Sequence, residues 1–260
     1  MNKSAILSLV DVGKSFDAVA AVSNVCFDLF DGRIYALIGP NGAGKTTLLN
    51  IISGYVGSDS GSIRLRGETI GGWTASRRVR QGMARTFQIT QLFGHMTALE
   101  NVMCGFHTHI AQSLASVLLG LPSFWTEERA LRVRAQHLLE TVGISDYANE
   151  PAGLLPFGLQ RRLEVARALA TQPSLLLLDE PCAGLSRAEA ADLGGLLQHL
   201  SGQGMCVLVV EHNMPFILGI AEEIVVLDAG EVIAKGRSEE VRNDPRVIEA
   251  YLGEVEHGAA

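Results

Sequence analysis

The sequence predicts an α/β fold with a mostly parallel core sheet, an N-terminal antiparallel β subdomain and an inserted helical subdomain. Three observations support this. Short runs of β-formers open the chain, in Ile6 to Val12 and Val22 to Phe30, where Val25, Phe27 and Leu29 alternate onto one face. From Thr97 to Val142 the texture becomes helical. After Pro151 strand and helix alternate, the pattern of a parallel sheet covered by helices. A chain of 260 residues suits one domain, with about 92–158 as the inserted lobe and about 238–260 as a C-terminal helical tail.

Element by element, Asp31-Gly32 turns the chain into Ile34-Tyr35-Ala36-Leu37-Ile38, a continuous apolar run of buried-strand type. A glycine-rich loop and a helical stretch, Thr46 to Ser53, follow. Ser62 to Arg66 then leads into a Gly67-Glu68 hairpin turn. In the helical middle, Glu127 to Thr141 has the clearest stripe, with Leu131, Leu138 and Leu139 on one side, and breaks fall around Gly120-Leu121-Pro122. Leu175 to Leu178 and Met205 to Val210 read as buried strands, with Arg187 to Leu200 a helix between them. Strands Ile224 to Leu227 and Val232 to Ala234 join through a tight Asp228-Ala229-Gly230 turn.

Hydrophobic residues make up 47% and charged residues 19%, which is globular and argues against disorder. Lys and Arg number 21 against 28 Asp and Glu, a net charge of −7, so no nucleic-acid partner is expected. The apolar stretch Leu114 to Trp125 is interrupted by Ser116, Gly120, Pro122 and Ser123 and is too short to span a bilayer, which takes roughly 18 apolar residues. The N-terminus has no apolar signal region, so the cytosol is the default location. Cys26, Cys104, Cys182 and Cys206 are scattered, as expected of buried small hydrophobes in a reducing compartment. His107-Thr108-His109 lacks a third metal ligand and is read as surface.

The chemistry begins at Gly39-Pro40-Asn41-Gly42-Ala43-Gly44-Lys45-Thr46-Thr47, a full G-x-x-x-x-G-K-[ST] P-loop between a strand and a helix. Small residues let backbone N–H groups wrap phosphate oxygens at the helix N-terminus. Lys45 adds charge near the β- and γ-phosphates, and the Thr46 hydroxyl is a ligand for Mg²⁺. Leu175-Leu176-Leu177-Leu178-Asp179-Glu180 is an apolar strand ending in two carboxylates, at the end where open α/β sheets bind ligands. Asp179 is expected to hold Mg²⁺ through water, and Glu180 to polarise the attacking water as general base. The P-loop alone leaves kinases, GTPases and other ATPases open.

Leu155-Pro156-Phe157-Gly158-Leu159-Gln160-Arg161-Arg162-Leu163-Glu164-Val165-Ala166-Arg167-Ala168-Leu169 narrows the choice. It resembles the signature loop and helix of ATP-binding-cassette proteins, commonly L-S-G-G-Q followed by a basic helical run. The resemblance covers essentially the whole chain and implies a P-loop NTPase of the cassette type, with ATP and Mg²⁺ as ligands. It implies that Gln88 is the glutamine that meets metal and water and that His212 is the switch histidine. Ala183-Gly184-Leu185-Ser186 matches the D-loop, and Phe16 stands where an aromatic stacks on adenine. Phe157, Gly158 and Gln160 are then part of the loop that meets the γ-phosphate on the opposite subunit of a head-to-tail pair. Pro156 stands in place of the family's serine and has no N–H, and Leu159 follows Gly158 where glutamine is common. The grip is therefore expected from neighbouring amides and the helix N-terminus.

In detail the chain is most similar to ATP-binding subunits of high-affinity branched-chain amino acid importers, the G subunit of Liv-type systems. The similar stretches are Arg85-Thr86-Phe87-Gln88 running to Val102, Gln160 to Arg167, Val210-Glu211-His212-Asn213-Met214, and Asn243 to Gly253. The resemblance implies two membrane-spanning permease subunits, a second ATP-binding subunit and a periplasmic solute-binding protein, with this chain peripheral on the cytoplasmic face of the membrane. Related importers carry urea, short amides or other amino acids. From another class, a soluble cassette ATPase with an assembly or regulatory role stays open, although such proteins often carry tandem cassettes or a long coiled coil, which this chain lacks. Neighbouring genes for multi-span membrane proteins discriminate between the two.

Overall fold

The computed structural model describes residues 4–87, 91–108 and 122–257. Leu7–Phe16 (β1) and Val19–Leu29 (β2) form an antiparallel hairpin, from Leu7 opposite Leu29 to Phe16 opposite Val19. The sequence pattern ends the first strand at Val12 and resumes at Val22. Pairing in fact continues around Asp17, at φ 50°, through exposed residues that show no apolar alternation. Ile34–Ile38 (β3) follows as expected and leads to Lys45–Ser53 (α1). Ser60–Leu65 (β4) and Glu68–Thr69 (β5) complete a four-stranded sheet ordered β2-β1-β4-β5.

Ala75–Arg80 (α2) and Met83–Arg85 (β6) come next, neither anticipated from the sequence. Helices Ala98–Gly105 (α3), Pro122–Thr141 (α4) and Phe157–Leu169 (α5) fill the middle of the chain. Ala135 and Leu139 of α4 are buried, with Leu131 and Leu138 packed against the same core. Gly120 and Leu121 of the expected break lie outside the described residues, as do residues 114–121 of the apolar stretch. Among the described residues no helix is long and apolar enough to cross a membrane.

The remaining units alternate: Leu175–Asp179 (β7), Arg187–Gly202 (α6), Cys206–Val210 (β8), Met214–Ile220 (α7), Glu223–Asp228 (β9), Glu231–Gly236 (β10), Ser238–Arg242 (α8) and Pro245–His257 (α9). The short α7 is also absent from the sequence pattern. The second sheet runs β10-β9-β3-β8-β7-β6, parallel throughout except for β10 against β9.

Its central strands look uniformly apolar because both faces are covered. Tyr35, Leu37, Leu175, Leu177, Leu208 and Val210 face one core with Leu48, Leu49, Ile51 and Ile52 of α1 and the inner face of the antiparallel sheet. Their neighbours Ala36, Ile38, Leu176, Leu178, Val207 and Val209 face the other core, against Leu163 and Ala166 of α5 and Leu193 and Leu197 of α6. Every second side chain thus goes to each layer. Cys182 and Cys206 are buried as expected. Cys26 is exposed and its thiol donates to Asp11 Oδ1 at 3.1 Å, because it sits on the outward face of β2. His107 is exposed; His109 lies outside the described residues.

Candidate nucleotide site

The expected chemistry gathers at one edge of the parallel sheet. Leu37 and Asp179 both pair with Val210, so β8 brings the ends of β3 and β7 to either side of its own C-terminal end. In an open α/β sheet this is the edge where ligands bind.

The loop after β3 is held tightly from behind. A Cβ on Gly39, at φ 152°, would run into the carbonyl oxygen of Leu227, and one on Gly44, at φ 95°, into that of Ala21. Only glycine fits between β2 and β9 at these points. Gly230 N–H donates to Ala43 O at 3.1 Å, pinning the loop to the β9–β10 turn. Gly39, Pro40 and Ala43 are buried, Thr47 is half-buried, and Asn41, Gly42 and Thr46 are exposed. Gly44 caps α1 in a left-handed conformation with no side-chain cap bond. Lys45 folds back over the loop, its Nζ donating to Gly39 O at 2.8 Å and Pro40 O at 2.7 Å.

Asp179 is the last residue of β7. Its Oδ2 accepts from Arg85 of the adjacent strand β6 at 2.9 Å, with side-chain exposures of 7% and 6%. Arg85 also donates to Asn50 Oδ1 at 2.7 Å and Ser53 Oγ at 2.8 Å, both on α1, and lies against the rings of Tyr55 and Phe87. Asp179 and the Thr46 hydroxyl are hard oxygen donors, which suit Mg²⁺. Among the described residues no group of three or more His, Cys, Asp or Glu is arranged to hold a metal ion by itself.

Glu180 sits at φ 46°, a left-handed conformation that costs a non-glycine residue of order 1 kcal/mol. Its N–H donates to Val210 O at 2.8 Å, which extends the β7–β8 ladder by one rung. His212, exposed, has Nδ1 3.9 Å from Glu180 Oε1 and 3.9 Å from Glu211 Oε2, beyond hydrogen-bond reach of both. Glu211, next to His212 in the chain, is 1% exposed. Its Oε1 accepts from Cys182 N–H at 2.7 Å, and its Oε2 from the N–H groups of His212 at 3.0 Å and Asn213 at 3.2 Å. The Cys182 thiol is pushed up, first by burial and then by the charge of Glu211.

Gln88 lies outside the described residues, but its flanks are held by α5. Phe87 O accepts from Arg161, Gln91 N–H donates to Glu164, and Gln91 O accepts from Arg167. Pro156 caps α5 with no side-chain bond, Phe157 is exposed, and Gln160 donates from Nε2 to Leu155 O at 2.8 Å. A Cβ on Gly158 would meet the Glu189 carboxyl of α6, so the signature loop packs on the segment after the acidic pair. Phe16 ends β1, 47% exposed, with Lys14 Nζ 5.4 Å from its ring centroid. Arg85 and Glu211 received no role from the sequence. The available signal is a charged residue abutting a short apolar run, which gains meaning only once strand neighbours are known.

Residues 22–183 match the family model described as ABC transporter, and residues 231–257 one described as branched-chain amino acid ATP-binding cassette transporter. The chain is 41% identical over 251 residues to the high-affinity branched-chain amino acid transport ATP-binding protein BraF of Pseudomonas aeruginosa, covering 96% of this chain and 98% of that protein. It is 40% identical, with the same coverage, to the corresponding protein LivG of Escherichia coli K12. A solved ATP-binding cassette of an ABC transporter in its ADP conformation superposes with a TM-score of 0.84 at 31% identity, covering 96% of this chain and 99% of that one. The chain belongs to the ABC transporter family, as one of its ATP-binding, ATP-hydrolysing cassettes.

Proposed function

We propose that this cassette energises an importer for branched-chain amino acids, working from the cytoplasmic face of the inner membrane. The observation that carries the reading is the convergence of the P-loop, Asp179-Glu180 and His212 on the ends of three neighbouring strands. The import assignment is supported by the match over residues 231–257 and by the relatives' transport of branched-chain amino acids.

In this reading ATP lies along the P-loop, its phosphates at the N-terminus of α1, where backbone N–H groups and the helix dipole favour an anion. Lys45 exchanges its bonds to Gly39 and Pro40 for β- and γ-phosphate oxygens. Phe16 stacks on the base. Thr46, Asp179 and Gln88 would hold Mg²⁺, which would neutralise charge on the phosphates. Glu180 takes a proton from the attacking water while His212 orients it and the γ-phosphate. Phe157, Gly158 and Gln160 serve the site of a second cassette, where amides after Pro156 supply the donors.

The inserted lobe, about 92–158, meets the permease. A groove of about 830 Å³ between β6, α3 and α5, with Phe87, Leu92, Phe93 and Arg167 among its lining, is the seat for a helix of a membrane-spanning subunit. The Arg161, Glu164 and Arg167 bonds to the flanks of Gln88 tie that seat to the nucleotide. Two permease subunits, a second cassette and a periplasmic binding protein complete the assembly.

The test is reconstitution of the cassette with the permease subunits, second cassette and binding protein of a branched-chain amino acid importer from the same genome. Leucine, isoleucine or valine is expected to stimulate ATP hydrolysis. Stimulation by urea or short amides alone would contradict the substrate assignment.

A further inference from the structure

The Glu211 carboxylate lies between two loops that must act together. Cys182 is two residues beyond Glu180 and opens the segment leading to Ala183-Gly184-Leu185-Ser186, while His212 and Asn213 lie on the other loop. All three backbone donors point at one buried side chain, two residues' N–H groups on Oε2 and one on Oε1. The Asn213 side chain caps α7 by accepting from Phe216 N–H at 3.2 Å, so the far side of the His212 loop is fixed as well. One rung earlier Glu180 N–H is fixed to Val210 O. The exposed imidazole of His212 thus hangs from a backbone whose place relative to Glu180 is set by Glu211.

We propose that Glu211 is a positioning residue for ATP hydrolysis, a latch that holds the His212 loop against the loop after Glu180 so that both side chains address one water. A carboxylate suits the task because it only accepts, with two oxygens for three N–H groups. Charged acceptors also give stronger bonds than neutral ones. Glutamine has the same shape but turns an NH₂ group toward an N–H donor on one of the two loops, which opens that side. The proposal rests on the roles given above to Glu180 and His212.

The test is a double-mutant cycle of Glu211→Gln and His212→Ala in the full chain, assembled with its partner cassette. Turnover at saturating MgATP is read beside nucleotide affinity and thermal melting. Glu211→Gln is expected to lower kcat by about 10–100-fold and leave ATP affinity within about threefold. In the His212→Ala background it is expected to add less than about twofold, because both changes remove one function. Glu211→Asp, which keeps an acceptor-only group, is expected to recover part of kcat. If Glu211→Gln does not fold, the Asp variant carries the same cycle. Wild-type kcat in Glu211→Gln, equal losses of affinity and kcat, or multiplicative effects in the double variant would overturn the latch. Wild-type turnover in His212→Ala would remove the reading it rests on, and the latch with it.

Discussion

At the scale of single residues, buried charge organises this site. Arg85 reaches α1 through Asn50 and Ser53, and β7 through Asp179, from the end of a three-residue strand. Removing one partner of a buried pair leaves the other uncompensated, at a cost of about 3–5 kcal/mol. Arg85→Ala is therefore expected to lower unfolding stability by about 3 kcal/mol in denaturant titrations. Arg85→Lys is expected to recover only part of this, since a single ammonium lacks the planar fork that reaches several acceptors at once. Equal stability of Arg85→Ala and wild type would contradict the network. The sequence marks Lys45, Thr46, Asp179 and Glu180 through motif and strand context. Arg85 and Glu211 are invisible there because the partners that tie them to the acidic pair and its loop, Asp179 and Cys182, lie 94 and 29 residues away.

At the scale of elements, caps and registers decide what holds. Helix α6 begins with a capping box: Ser186 Oγ accepts from Glu189 N–H, and the Glu189 carboxylate accepts from Ser186 N–H and Oγ–H. The Ser186 hydroxyl, then its N–H, holds the Glu189 carboxyl below its usual range. A depressed carboxylate stabilises the fold above the unfolded group's pKa and loses that contribution as pH falls through the folded value. Ser186→Ala is expected to cost about 1 kcal/mol near neutral pH, and the gap to wild type in thermal melts is expected to shrink as pH drops below about 4.5. A gap that widens in acid would contradict the box. Strands β3, β7 and β8 are legible because burial on both faces leaves uninterrupted apolar runs. Strand β6 has three residues and exists only by pairing Met83 with Leu175 and Arg85 with Leu177. Helices α2 and α7 are short, and their signals, Thr74 and Asn213 as N-caps, precede no apolar stripe long enough to register.

At the scale of the molecule, two sheets share α1 and one core, and the helical middle packs on the opposite face of the parallel sheet. The nucleotide edge and the helical lobe are therefore joined through α5, whose Arg161, Glu164 and Arg167 grip both flanks of Gln88. This coupling is not legible in the sequence, which shows a basic run but not what it clasps. The convergence of P-loop and acidic pair is legible, because parallel strands that end in loops bring those ends to one edge. On the proposed mechanism this edge hydrolyses ATP with Glu180 as the base. Its most direct test is steady-state Mg²⁺-dependent hydrolysis by the assembled cassette pair carrying Glu180→Gln, with ATP binding measured in parallel. ATP affinity is expected within about threefold of wild type and turnover reduced at least about 100-fold; wild-type turnover in that variant would rule out Glu180 as the base.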